Sequence, residues 1–119
     1  MNKFRFLEWN VYKDAKELLG FILKIIKKIP NEYRYDLGGQ VIRAAFSVVL
    51  NIAEGSGKIS DKDMNRFFNI SLGSLNETLA AADILYFNNF ISKQEFEWIY
   101  KKIDSISCQL GGFKKKLKK

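Results

Sequence analysis

A chain of 119 residues that is 47% apolar, with ten Phe, five Tyr and two Trp, is long enough for one core in one domain and too apolar for a disordered chain. It has no histidine and a single cysteine, Cys108. This excludes histidine acid–base chemistry, Glu-x-x-His di-iron sites, the usual Cys/His zinc sites, a Cys–His nucleophile couple and an internal disulfide.

The formal charge is +7, and five of the last six residues, "KKKLKK", are lysine. The rest of the chain is close to balanced. This divides it into a folded body over 1–113 and a basic tail over 114–119. A lone cysteine suits a reducing compartment. The opening "MNKFRFLEWN" carries no apolar segment ending in a small-residue cleavage site. The longest apolar stretches, about 18–26 and 44–53, are cut by Lys24, Ser47 and Asn51 and are too short to cross a bilayer. The expected location is the cytoplasm.

One Pro in the whole chain favours long helices. Val11, Ala15, Leu18, Ile22, Ile25 and Ile29 recur at steps of four and three, the spacing of a helix seam, and Pro30 ends it. "PNEYRYD" reads as a turn. The second helix is predicted from about Leu37 to Glu54. Leu37, Val41, Ala44, Val48 and Ile52 form one stripe, while Ile42, Ala45, Phe46, Val49, Leu50 and Ala53 make the helix apolar nearly all round. Such a helix asks for a second surface to bury it, and therefore for self-association.

The third helix starts at a capping pattern, Ser60 with Asp63, and runs through Met64, Phe68, Leu72, Leu75, Leu79, Ala82 and Leu85. The fourth starts the same way, Ser92 with Glu95. Its seam is Phe96, Ile99, Ile103, Ile106, Leu110, Phe113 and Leu117. Gly111 and Gly112 cost it about 1 kcal/mol each against Ala, so fraying is expected there. Connections of roughly four to seven residues make sequential helices antiparallel. The expected fold is all-α, an antiparallel up-down-up-down four-helix bundle.

"NIAEGSGKIS", residues 51–60, invites reading as a phosphate loop. The Walker pattern needs Gly where Ile52 stands and Ser or Thr where Ile59 stands, so the match fails at both ends. Gly55 is expected instead to end the second helix in a left-handed conformation, with Gly57 keeping the turn flexible. Glu54 and Glu77 remain as a carboxylate pair that would face each other near one end of the bundle, the weakest of the functional readings.

"QVIRAAFSVVLNIAEGSGKIS" and "FFNISLGSLNET" resemble the 23S rRNA-intervening sequence protein family, also called the four helix bundle protein family. The matching residues are Phe6-Leu7, Pro30 to Glu32, Gln40, Arg43, Ser47, Asn51 to Gly55, and Gly73 to Glu77. Lys58 fills the place of a basic residue after the Glu-Gly turn, whereas Ala44 stands where the family often has a second Arg. The resemblance spans nearly the whole chain. It implies a small helical protein and no enzymatic activity; with no histidine and one cysteine, no cofactor or metal is expected. Relatives include the accessory protein of diversity-generating retroelements, a barrel-like homopentamer with a basic surface that binds nucleic acid. By that resemblance a pentamer is the favoured assembly; no membrane partner is expected, because the apolar stretches are short.

With the family positions in view, Gln40, Arg43, Ser47, Asn51 and Glu54 make a polar line along the second helix, and Gly73, Ser74 and Glu77 a small polar site on the third. The expectation is a buried network in which Arg43 meets Glu54 or Glu77, with Gly73 at a close helix contact. The leading functional expectation is a non-enzymatic homo-oligomer that binds RNA or DNA without sequence preference. The candidate contacts are Lys58, Lys114, Lys115, Lys116, Lys118 and Lys119. The alternative is a structural or protein-interaction scaffold whose tail only solubilises it. Lys13, Lys16, Lys24, Lys27 and Lys28 on the first helix, and Lys101 and Lys102 on the fourth, leave open whether the bases form one surface.

Overall fold

The computed structural model describes residues 3–117. Four long helices carry the chain: α1 (Asn10–Ile25), α2 (Gly39–Ser56), α3 (Asp61–Phe87) and α4 (Lys93–Lys115). No strand occurs among the described residues. The molecule is elongated, 44 × 24 × 22 Å, with one core running along its length.

Every residue of the α1 seam is buried, and so are Val41, Ala44, Val48 and Ile52 of α2. From α3 the core takes Met64, Phe68, Leu75, Ala82 and Leu85, and from α4 Ile99, Ile103, Ile106 and Leu110. Contacts at the helix ends give their directions. Trp9, just before α1, lies 4.8 Å from Phe113 near the end of α4. Arg5 donates to the Ser56 carbonyl at the end of α2 (3.2 Å), and Lys114 donates to Asn69 in the first turns of α3.

The caps form where the sequence places them. The Ser60 hydroxyl accepts from the Asp63 N–H (3.1 Å), and Ser92 and Glu95 complete a reciprocal capping box. The first connection is more structured than a simple turn. α1 closes in a 3-10 turn (Ile26–Lys28), and after Pro30 come one helical turn (Asn31–Tyr33) and a π-helical segment (Arg34–Gly38). Arg34 secures it by donating to the carbonyls of Ile29 (3.0 Å) and Lys27 (2.9 Å), which α1 leaves without helical partners.

Two local expectations are overturned. Gly55 is not a left-handed cap: α2 runs on to Ser56, no glycine has positive φ among the described residues, and Gly55 is buried. Nor does α4 fray at Gly111 and Gly112; it continues to Lys115, so the first residues of the basic tail are helical. The anchor is Phe113, held against Trp9 and 5.6 Å from Phe68, which offsets the glycine cost.

Ion pairs tie α4 to α1 along its exposed side. Lys102 donates to Glu17 (2.7 Å), lies 3.6 Å from Asp14, and has its pKa raised chiefly by the Glu17 bond. Lys28 donates to Glu95 at 2.6 Å. Partial burial pushes the Glu95 carboxyl up, but the Lys28 bond and the Ser92 N–H together outweigh it, and the net pKa is lowered. A lowered folded pKa stabilises above the unfolded carboxylate value and is lost as pH falls through the folded value. Glu95→Ala is therefore expected to cost about 1 kcal/mol at pH 7. In thermal melts the gap to the parent should narrow as pH falls below about 4; a gap independent of pH would mean that the charge contributes nothing.

Candidate functional site

The family-like residues of α2 and α3 divide between the contact of the two helices and their outward faces, differently from the expected network. Asn51 donates to the Ser47 carbonyl (2.9 Å) and hydroxyl (3.1 Å), and the Ser74 hydroxyl donates to Ser47 Oγ at 2.8 Å. Ser71 donates to the Val48 carbonyl (3.0 Å), and Thr78 to the Ser74 carbonyl (2.8 Å). The Ser71 and Ser74 bonds cross to α2, and those of Asn51 and Thr78 stay within one helix; α2 and α3 make the most extensive helix pairing among the described residues. No buried side-chain N or O among the described residues lacks a partner.

Gln40, Arg43, Glu54 and Glu77 stand outside this network, exposed on the single chain. Arg43 folds back along its own helix, with Nη1 3.3 Å from where a Gly39 Cβ would be. Glu54 pairs with Lys58 (3.1 Å), one turn on. Nor do Glu54 and Glu77 face each other. Gly55 lies against Phe67 and Phe68, and Glu77 sits about ten residues further along α3, roughly 15 Å at the helical rise. They form no carboxylate pair. Among the described residues no cluster of His, Cys, Asp or Glu could hold a metal.

The close helix contact also moves. A Cβ on Gly73 would meet nothing within 4 Å, whereas on Gly55 it would come within 2.9 Å of the Phe68 ring. Gly73 instead lies on an exposed line of α3: Ile70, Gly73, Glu77, Ala80, Ile84 and Phe87 at alternating steps of three and four. Ile70 is 40% exposed and Ile84 52%, and α2 adds Phe46 (48%) and Leu50 (49%) on its outward side. The all-round apolar character of α2 thus resolves into one buried face and one wet face.

The bases are not spread evenly. Where Arg5 meets Ser56, Trp9 meets Phe113 and Lys114 meets Asn69, one pole collects Lys3, Arg5 and Lys13 from the first segment. It adds Lys58, Lys62 and Arg66 around the start of α3, and Lys114, Lys115 and Lys116 from the end of α4. Glu8, Asp14, Glu54, Asp61 and Asp63 offset only part of this charge. Lys58 and Arg66 flank the Phe67 ring at 5.0 and 4.4 Å. At the opposite pole Lys24, Lys27, Lys28, Arg34 and Lys93 stand beside Glu32, Asp36, Asp83, Glu95 and Glu97. Lys118 and Lys119 lie outside the described residues. Arg5, Lys62 and Arg66 escaped the sequence reading because only the directions of the helices bring them beside the tail.

The pattern of the 23S rRNA-intervening sequence protein family matches residues 8–112. The chain belongs to that family. Among solved structures, this family member is similar to a crystal structure of a protein with unknown function from the S23 ribosomal protein family of Bacteroides thetaiotaomicron VPI-5482. The two are 25% identical with a TM-score of 0.81, over 88% of this chain and 98% of that one. No curated protein matches the chain. None of its helices, among the described residues, is long and apolar enough to cross a membrane.

Proposed function

We propose that this protein is a non-enzymatic up-down-up-down bundle that self-associates through the outward faces of α2 and α3 and binds RNA or DNA phosphates at its basic pole. The observation that carries the reading is the gathering of bases from three separate stretches at one pole. Helix-end lysines often serve only to complement the helix dipole. That role accounts for Lys114 and Lys115, and for Arg5 on the Ser56 carbonyl, but not for Lys62 and Arg66 at the start of α3.

Self-association is supported by the exposed apolar line on α3. Its steps of three and four are those of a helix–helix seam. Gly73 and Ala80 would let a second helix approach closely, and Arg43 and Glu77 offer opposite charges to a neighbouring copy. An assembly would multiply the charge presented at the poles. Five subunits is the number the family resemblance favours.

The test is equilibrium binding to mixed-sequence RNA and DNA as salt is varied. Each phosphate neutralised releases counterions, with a log–log slope near −0.9 per contact on duplex DNA and about −0.7 on single strands. The expected result is micromolar or tighter binding at low salt, weakened at least a hundredfold by about 200 mM. Removing residues 114–119 should flatten the slope and leave the assembly intact. Equal binding by the truncated and full chains would make the tail a solvated end. Absence of binding at low salt would leave the interaction scaffold as the reading.

A further inference from the structure

At the basic pole, between the start of α1 and the last turns of α4, lies an open pocket of about 320 Å³, within the size range of small-ligand sites. It is lined by the aromatic Trp9 and Phe113 and by the polar Asn10, Gln109 and Lys116. Gln109 donates through its amide nitrogen to Asp14 (2.7 Å) and Ser105 (3.2 Å), which orients that side chain.

Gly112 also lines the pocket. Nothing lies within 4 Å of where its Cβ would be, so no contact within the chain requires glycine there. Glycine inside a helix costs about 1 kcal/mol against alanine. A glycine that packing does not require, facing an aromatic-walled hollow, fits close approach of a ligand to the backbone.

We propose that this pocket receives an unpaired base of a single-stranded nucleic acid, stacked on the Trp9–Phe113 pair while Lys116 holds the adjacent phosphate. This rests on the basic pole being the nucleic-acid surface and adds a preference for single strands. Aromatic rings accept any base face, whereas the Asn10 amide and the carbonyl oxygen of Gln109 offer hydrogen bonds to base edges only when those edges are unpaired. A duplex presents phosphates to the pole but no base to the pocket.

The test uses the full chain, a fluorescent mixed-sequence single strand, in RNA and DNA forms, and the corresponding duplexes. Gly112→Leu adds a side chain at the pocket lining and improves helix propensity, so its melting temperature should equal or exceed that of the parent. Gly111→Ala, next to the pocket but not lining it, is the propensity control. The expected outcome is roughly tenfold weaker single-strand binding for Gly112→Leu, the loss of one stacked base. Duplex binding should be within about twofold of the parent, and Gly111→Ala should be unaffected. In a Trp98→Phe background, Trp9 fluorescence should be quenched by the single strand and not by the duplex. Equal single-strand binding by Gly112→Leu and the parent overturns the pocket while leaving the basic-pole reading in place. Absence of binding to either form overturns both.

Discussion

Gly55→Ala is expected to destabilise the protein by about 1–3 kcal/mol, although alanine favours a helix by up to about 1 kcal/mol. The added methyl would lie 2.9 and 3.1 Å from the Phe68 ring and 3.2 Å from Phe67 Cβ. Phe68 has nowhere to retreat. It is fully buried, with Trp9 6.5 Å and Phe113 5.6 Å away, both in edge-on contact. Gly55→Leu should be worse again. Gly20→Ala, where nothing lies within 4 Å, supplies the comparison and should be neutral or stabilising. Urea denaturation of Gly55→Ala in a Phe68→Leu background should recover part of the loss, because the smaller side chain yields space. If Gly55→Ala proves as harmless as Gly20→Ala, the close approach of α2 to α3 is wrong.

The second large effect concerns assembly. Ile70→Glu combined with Ile84→Glu is expected to leave helix content unchanged and reduce the particle to the single-chain mass of 13.8 kDa. Both isoleucines stand half exposed, so the folded chain tolerates charge there. Between two copies, an unpaired carboxylate would be desolvated at a cost of several kcal/mol. Light scattering at micromolar concentration reads the result. A parent protein already at the single-chain mass removes the assembly reading. A double variant retaining the parent's assembled mass moves the contact away from this line of α3.

Much of the helical framework can be read directly from residue spacing. The α1 seam from Val11 to Ile29 is buried as its steps of three and four require, because that spacing returns a side chain to one side of a helix. Ser60 and Ser92 cap where their hydroxyls meet backbone N–H groups three residues on, a purely local geometry. Family membership is likewise legible in short motifs, because they are read as residues in order. The polar line on α2 was legible as a line but not as a network. Ser47, Asn51 and Ser74 meet because they are short and face the neighbouring helix. Arg43, Glu54 and Glu77 sit a fraction of a turn further round and reach solvent.

Helix positions, the buried stripes and the concentration of lysine at the end of the chain follow from the sequence alone, because each depends on neighbours within a turn or two. Tertiary structure decided which glycine is needed for close approach, since Gly55 and Gly73 differ only in what the facing helix brings to them. It also decided that Arg5, Lys62 and Arg66 join the tail's lysines at one pole. Their proximity depends on the directions and alignment of four helices, a long-range arrangement that residue order encodes only through the completed core.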